Sequence, residues 1–124
     1  MTELKQIYKC NVCGNMVEVI HTGVGELVCC GQPMELKTPN TQEAATEKHI
    51  PVVEKKDGMI LVKVGSVPHP MKEEHFIEWV EIVSGEKCIR KTLKPGDSSE
   101  VKFCDLGENT EVRAYCNVHG LWKA

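Results

Sequence analysis

The stretch Glu111-Val112-Arg113-Ala114-Tyr115-Cys116-Asn117-Val118-His119-Gly120 decides how the larger, C-terminal part of this 124-residue chain folds. Val112, Ala114 and Cys116 fall on one face of an extended segment, and Glu111 and Arg113 on the other. This is the period of a strand with one face turned to a core, and it carries Cys116 inward. Beyond the strand, Asn117 and Val118 separate the Cys116 thiol from the His119 imidazole. A thiolate and an imidazole so placed at a strand end form a natural chelate. A cysteine on an apolar face can also be a small buried hydrophobe; the histidine beside it favours ligation.

Upstream, residues 50–54, 59–64, 76–83, 87–93, 100–104 and 110–116 read as short β-rich runs. Asp57-Gly58, Ser84-Gly85, Pro95-Gly96-Asp97 and Gly107-Glu108-Asn109 punctuate them. Six or seven short strands at this spacing, almost without helical periodicity, predict a small antiparallel β-sandwich over 50–124. Residues 37–49 read as a connector. Thr38-Pro39 discourages helix, and Asn40 with Glu43 resembles a capping box opening about one helical turn through Ala44 and Ala45. Residues 1–36 form a first unit with strand-like pieces at 6–9 and 16–21 and the turn Thr22-Gly23-Val24-Gly25. A unit so small cannot bury enough apolar surface to fold unaided and needs a staple.

Composition narrows the class. Hydrophobic residues make up 41% and charged residues 27%, a globular profile. No apolar run approaches the length of a bilayer span. A net charge of −3 gives no reason to expect nucleic acid or an anionic membrane as partner. Seven cysteines is an odd count behind a polar start, which points to reduced thiols, metal ligation and a cytoplasmic location. Cys10, Cys13, Cys29 and Cys30 crowd the first unit, while Cys88, Cys104 and Cys116 are dispersed.

Cys10-Asn11-Val12-Cys13-Gly14 is a metal knuckle, in which a glycine lets the backbone turn its amides toward sulfur. Its partner, Cys29-Cys30-Gly31, has no residue between the cysteines, so a tetrahedral ion held there is strained. Tetrahedral thiolate sites accept zinc or iron, and a structural zinc ribbon or a vicinal disulfide is an alternative at this point. The pair-plus-adjacent-pair pattern resembles desulforedoxin. That resemblance implies a distorted Fe(Cys)₄ centre carrying one electron.

Four of the five histidines, His49, His69, His75 and His119, fall in the second unit. Two prolines flank His69 in Val67-Pro68-His69-Pro70-Met71 and reduce the entropy lost on ordering a ligand loop. The segments Glu47-Lys48-His49-Ile50-Pro51, His69-Pro70-Met71 through His75-Phe76-Ile77, and Tyr115-Cys116-Asn117-Val118-His119-Gly120-Leu121-Trp122 are similar to the signature of superoxide reductases. With the desulforedoxin-like head, the resemblance covers nearly the whole chain and indicates the two-iron class, the desulfoferrodoxins. It implies an immunoglobulin-like sandwich and a square-pyramidal Fe(His)₄Cys centre, with His49, His69, His75 and His119 equatorial and Cys116 axial. It also implies reduction of superoxide to hydrogen peroxide without oxygen release, a rubredoxin-like electron donor and a homodimer.

Ligand charge suits two different roles. Four thiolates leave ferrous iron at −2, whereas four neutral imidazoles and one thiolate leave it at +1, which attracts an anion. Taken alone, Glu47-Lys48 reads as a solvated pair on a loop; in the context of the resemblance, Lys48 is expected to steer superoxide. By resemblance, Glu47 takes the sixth iron position in the ferric resting state. Ala114 departs from the family pattern, which commonly has glutamate there, and is expected to change the iron–sulfur strength. Cys88 and Cys104 read as buried structural thiols, His21 as a surface residue, and Trp79 and Trp122 as core or site-wall residues. Lys72-Glu73-Glu74 reads as a solvated loop leading to His75.

The rival readings are a zinc-ribbon binding module, a metal-stapled electron carrier and a zinc hydrolase. The first leaves the His₄Cys set unused, the second needs no open second site, and the third fits five strong protein ligands poorly.

Overall fold

Every element of secondary structure among the described residues is a strand. The protein, a computed structural model, is described over residues 1–40, 49–107 and 109–124. It divides into two units, Met1–Thr38 and Pro39–Ala124.

In the first unit, β1 (Ile7–Lys9) lies between β2 (Met16–Glu18) and β5 (Glu35–Lys37) in an antiparallel three-stranded sheet. A second, minimal hairpin pairs β3 (Val28–Cys29) with β4 (Gln32–Pro33). Its two-residue loop is Cys30-Gly31, with φ of 53° and 73°. Positive φ at both central residues is the primed turn that suits the right-handed twist of a hairpin. The adjacent cysteines therefore sit on different elements, Cys29 ending a strand and Cys30 opening the turn. The buried apolar side chains of this unit are few: Ile7, Cys10 and Val19.

The second unit is a two-sheet sandwich. One sheet holds β6 (Pro51–Lys56), β7 (Met59–Val64) and β10 (Glu100–Cys104) in the order β10-β7-β6. The other holds β8 (Ile77–Ser84), β9 (Lys87–Thr92), β11 (Glu111–Cys116) and β12 (Gly120–Lys123) in the order β12-β11-β8-β9. All pairs are antiparallel. Chain continuity crosses between the sheets after β7, β9 and β10, giving the expected immunoglobulin-like arrangement. The β6–β7 hairpin turns on Asp57-Gly58, at φ of 52° and 75°.

Alternation places Ile60, Val62 and Val64 of β7, Val101 and Phe103 of β10, Val80 and Ile82 of β8, and Val112 and Ala114 of β11 in one buried cluster. The same parity puts Cys104 on the outer face with Glu100 and Lys102. It is exposed, which corrects its reading as a buried thiol. Cys88 is half-buried and donates to Glu81 Oε1 at 2.7 Å. Strand β12 escaped the sequence reading because four residues beginning with a glycine at φ 89° show no alternation to detect. Asn40 forms a parallel bridge to Trp122, its N–H donating to Leu121 O at 2.8 Å. The helical turn expected through Ala44 and Ala45 lies outside the described residues.

Candidate metal centres

Five donor residues converge where the strands of the sandwich begin and end. His49 precedes β6, His69 follows β7 and His75 precedes β8. Cys116 closes β11, and His119 lies in the turn before β12. Register explains the convergence: Pro51 pairs with Val64, and Cys116 pairs with both Ile77 and Gly120, so these termini share one end of the sandwich. The β8–β11 register shifts between Tyr115 and Cys116. A bulge of this kind re-aims the side chain beside it, here a thiol with no exposed surface.

The ligand atoms of His49, His69, His75, Cys116 and His119 all lie within 4.8 Å of one another. Around the ring, centroids are 4.5 Å apart for His49–His69, 4.8 Å for His69–His75, 5.0 Å for His75–His119 and 4.7 Å for His119–His49. The diagonal His49–His75 is 6.3 Å. Four near-equal sides and a longer diagonal describe a near-square of imidazoles, with successive planes steeply inclined. Cys116 is the fifth donor, its Sγ 3.9 Å from His119 Nδ1.

The donor set fits a metal ion. His119 Nδ1 lies 3.0 Å from His49 Nε2, while two nitrogens about 2.0–2.1 Å from one ion lie about 2.9 Å apart at a right angle. A proton placed on His69 Nδ1 donates to Pro70 O at 2.7 Å, which leaves the ring's lone pair on Nε2. His75 Nε2 is buried with no hydrogen-bond partner among the described residues. Such a nitrogen is costly unless something binds it. Trp122 stacks on His49 at 4.7 Å and 16°, and its Nε1–H donates to His119 O at 3.2 Å. The sequence reading of Trp122 as a site wall holds.

The second cluster, Cys10, Cys13, Cys29 and Cys30, is also drawn together within 4.8 Å. Cys13 Sγ lies 3.6 Å from Cys29 Sγ, which lies 3.9 Å from Cys30 Sγ. Sulfurs about 2.3 Å from one tetrahedral ion are about 3.8 Å apart. At 3.9 Å the Cys29 and Cys30 sulfurs are too far apart for a vicinal disulfide.

The N–H groups of Cys13 and Val12 approach Cys10 Sγ at 3.5 and 3.4 Å and bring its thiol down to about 6. Cys30 is pushed up to about 12, first by Cys13, then by Cys29 and Cys10. Cys29 is also raised, first by Cys13. The Cys10 thiolate thus forms readily and opposes ionisation of Cys29 and Cys30, a conflict that a bound cation would relieve. Asn11 braces the knuckle by donating to Glu35 Oε2 at 2.8 Å, and with Lys37 it holds the Glu35 carboxyl below its usual range.

Glu47 and Lys48 lie outside the described residues. The sequence reading gave no role to Asn117, which makes three hydrogen bonds to the segment around His75. Its place between Cys116 and His119 was the one available signal. His21 is exposed. Among the described residues, no helix is long and apolar enough to cross a membrane.

Comparison with known proteins agrees with this architecture. The desulfoferrodoxin family model matches residues 41–124, and that of the desulfoferrodoxin N-terminal domain matches residues 2–36. A desulfoferrodoxin homolog of Archaeoglobus fulgidus is 52% identical over 124 residues, covering 100% of this chain and 99% of that one. A desulfoferrodoxin of Syntrophotalea carbinolica is 54% identical over 124 residues, covering 100% and 98%. In structure, the superoxide reductase from Treponema pallidum superposes with a TM-score of 0.77 at 28% identity, over 96% of each chain. Family models spanning both units, together with relatives identical at more than half of all positions, make this chain a member of the desulfoferrodoxin family.

Proposed function

We infer that this protein is a superoxide reductase. It reduces superoxide to hydrogen peroxide by one electron and two protons, without releasing oxygen. His49, His69, His75, His119 and Cys116 would hold one iron, and Cys10, Cys13, Cys29 and Cys30 a second. Bound iron supplies a ferrous–ferric couple that the side chains themselves lack. The observation that carries this reading is the near-square of imidazoles with a buried thiol as fifth donor, a set that would hold one iron and still let a small ligand reach it.

The chain's own groups divide the remaining work. Cys116 would contribute one negative charge from within the sandwich end and the neutral imidazoles none, so a ferrous ion held by the five would leave the site at a net +1, which attracts an anion. Half-buried His75 and His119 leave the centre reachable, whereas His49, His69 and Cys116 close it from within. We assign Lys48 to anion steering and Glu47 to closing the sixth position between turnovers. The two are adjacent in sequence and immediately precede His49. The four thiolates, carrying far more negative charge, favour giving up an electron and suit an accessory relay. We assign residues 1–36 to that relay, 37–49 to the connector and 50–124 to the reductase domain. An odd number of cysteines, most of them gathered into candidate metal clusters, supports a reducing, cytoplasmic setting. A rubredoxin-like donor and a homodimer complete the reading.

Metal analysis with visible spectra, followed by superoxide mixed with reduced protein in a stopped-flow cell, tests it. About two irons per chain, two ferric–thiolate absorption bands and peroxide without oxygen are expected. Iron absent from the histidines, or no reaction with superoxide, overturns the reading. Zinc among the four cysteines removes the relay alone.

A further inference from the structure

The histidines of the cluster are steadied by different contacts, and His75 is held through the backbone of the residues on either side of it. His69 is flanked by prolines and bonded to Pro70 O. His49 lies against Trp122, whose indole also holds the carbonyl of His119. His75 instead leaves a tight, exposed turn. Lys72 N–H donates to His75 O, and His75 N–H to Lys72 O, each at 3.0 Å. Lys72, Glu73 and Glu74 are all exposed, so packing among the described residues does little to hold that turn.

Asn117 fills that role. Its Oδ1 accepts from Phe76 N–H at 3.0 Å, its Nδ2 donates to Glu74 O at 3.2 Å, and its own N–H donates to Phe76 O at 3.2 Å. The residues immediately before and after His75 are thus bonded to one residue, which itself lies between Cys116 and His119. Asparagine suits the position because its short planar amide offers an acceptor and donors side by side. A flipped amide would set donor against donor and acceptor against acceptor, so the partners fix its orientation.

We propose that Asn117 is the positioning residue for His75, locking the backbone on both sides of that histidine to the loop carrying Cys116 and His119, so that three donors move as one body. The inference rests on the reading of the cluster as a metal centre. Preorganised donors bind an ion without first paying the ordering entropy of a loose ligand. Losing the clamp should therefore speed escape of the ion more than it disturbs the fold.

The test compares the full-length wild type with Asn117→Leu, which removes both side-chain bonds at similar size, and Asn117→Ser, which leaves room for a bridging water. In the iron-loaded protein, Asn117→Leu should lose histidine-site iron to a chelator at least tenfold faster. The electron paramagnetic resonance signal of its ferric histidine site should broaden into several species, while the four-cysteine iron stays in place. Asn117→Ser should fall between. In metal-free protein, exchange of the Phe76 amide should accelerate at least tenfold in Asn117→Leu, with the Val80 and Val112 amides unchanged. If Asn117→Leu does not fold, the same readouts on Asn117→Ser decide. Unchanged chelation rate, resonance signal and Phe76 exchange overturn the proposal. A wild type that takes up no metal at the histidines defeats the functional reading first, and the exchange measurement still judges the clamp.

Discussion

Trp122 and Ala114 show at single positions how the fold shapes the histidine centre. Trp122 acts twice, through a stacked face on His49 and an indole N–H to His119 O. Trp122→Phe keeps the face and loses the bond, a net cost of about 0.5–1.5 kcal/mol. Trp122→Ala loses both, at about 3–5 kcal/mol. Denaturant unfolding of the two variants should rank them in that order, and equal costs would mean that the stacking is unimportant. Ala114 is 1% exposed and pairs with Val80 on one side and Trp122 on the other. Ala114→Glu puts a carboxyl into that apolar layer and should lower stability by about 1–3 kcal/mol. Because residue 114 shares the face of Cys116, the variant should also move the ferric–thiolate absorption band; a band at the wild-type position would show the two to be insulated. The inward phase of Cys116 and the company of four histidines were legible in the sequence. The bonds of Asn117 were not, because they join segments some forty residues apart and leave no local pattern.

At the scale of elements, the outer face of the four-stranded sheet departs furthest from its pattern. Alternation along β11 sets Arg113 away from the core, and an arginine on that face reads as solvated. Yet Arg113 is 6% exposed and Glu81, directly opposite on β8, is 0% exposed. The pair meets at 3.0 Å, and Arg90, opposite Glu81 on β9, reaches its other oxygen at 3.3 Å. Strand pairing thus lines up arginine, glutamate and arginine across three strands. Period-two reading gives the facing of a residue but not what covers that face, so the buried ladder could not be foreseen. Removing the shared carboxylate takes from the buried Arg113 guanidinium its partner at 3.0 Å, and Glu81→Ala should cost about 3–5 kcal/mol. Adding Arg113→Met to that variant should recover part of the loss. A double mutant no more stable than the single would mean that the cost lies in packing around Glu81 rather than in the stranded charge.

At the scale of the whole molecule, the two units obtain their stability differently. The sandwich has a continuous core contributed by both sheets. The first unit has three buried apolar side chains, while Ile20, Val24 and Val28 are 82%, 89% and 59% exposed. Roughly 25 cal/mol per Å² of buried apolar surface cannot offset the ordering of such a segment from so small a core. Four cysteines within 4.8 Å of one another place the missing stabilisation in a bound ion, whose binding energy is then folding energy. Clustered cysteines made that dependence legible in the sequence; the primed Cys30-Gly31 turn that makes adjacent ligands workable was not. Stripping all metal from the full-length protein with a chelator should therefore bring amides of residues 2–36 to unfolded exchange rates. Those of Val62, Val80 and Val112 should remain protected. Cys13→Ser should act on the first unit in the same way while the reduced histidine centre still consumes one superoxide per chain. Protected amides in a metal-free first unit would show that its small core and three-stranded sheet suffice, and that the four cysteines serve electron transfer alone.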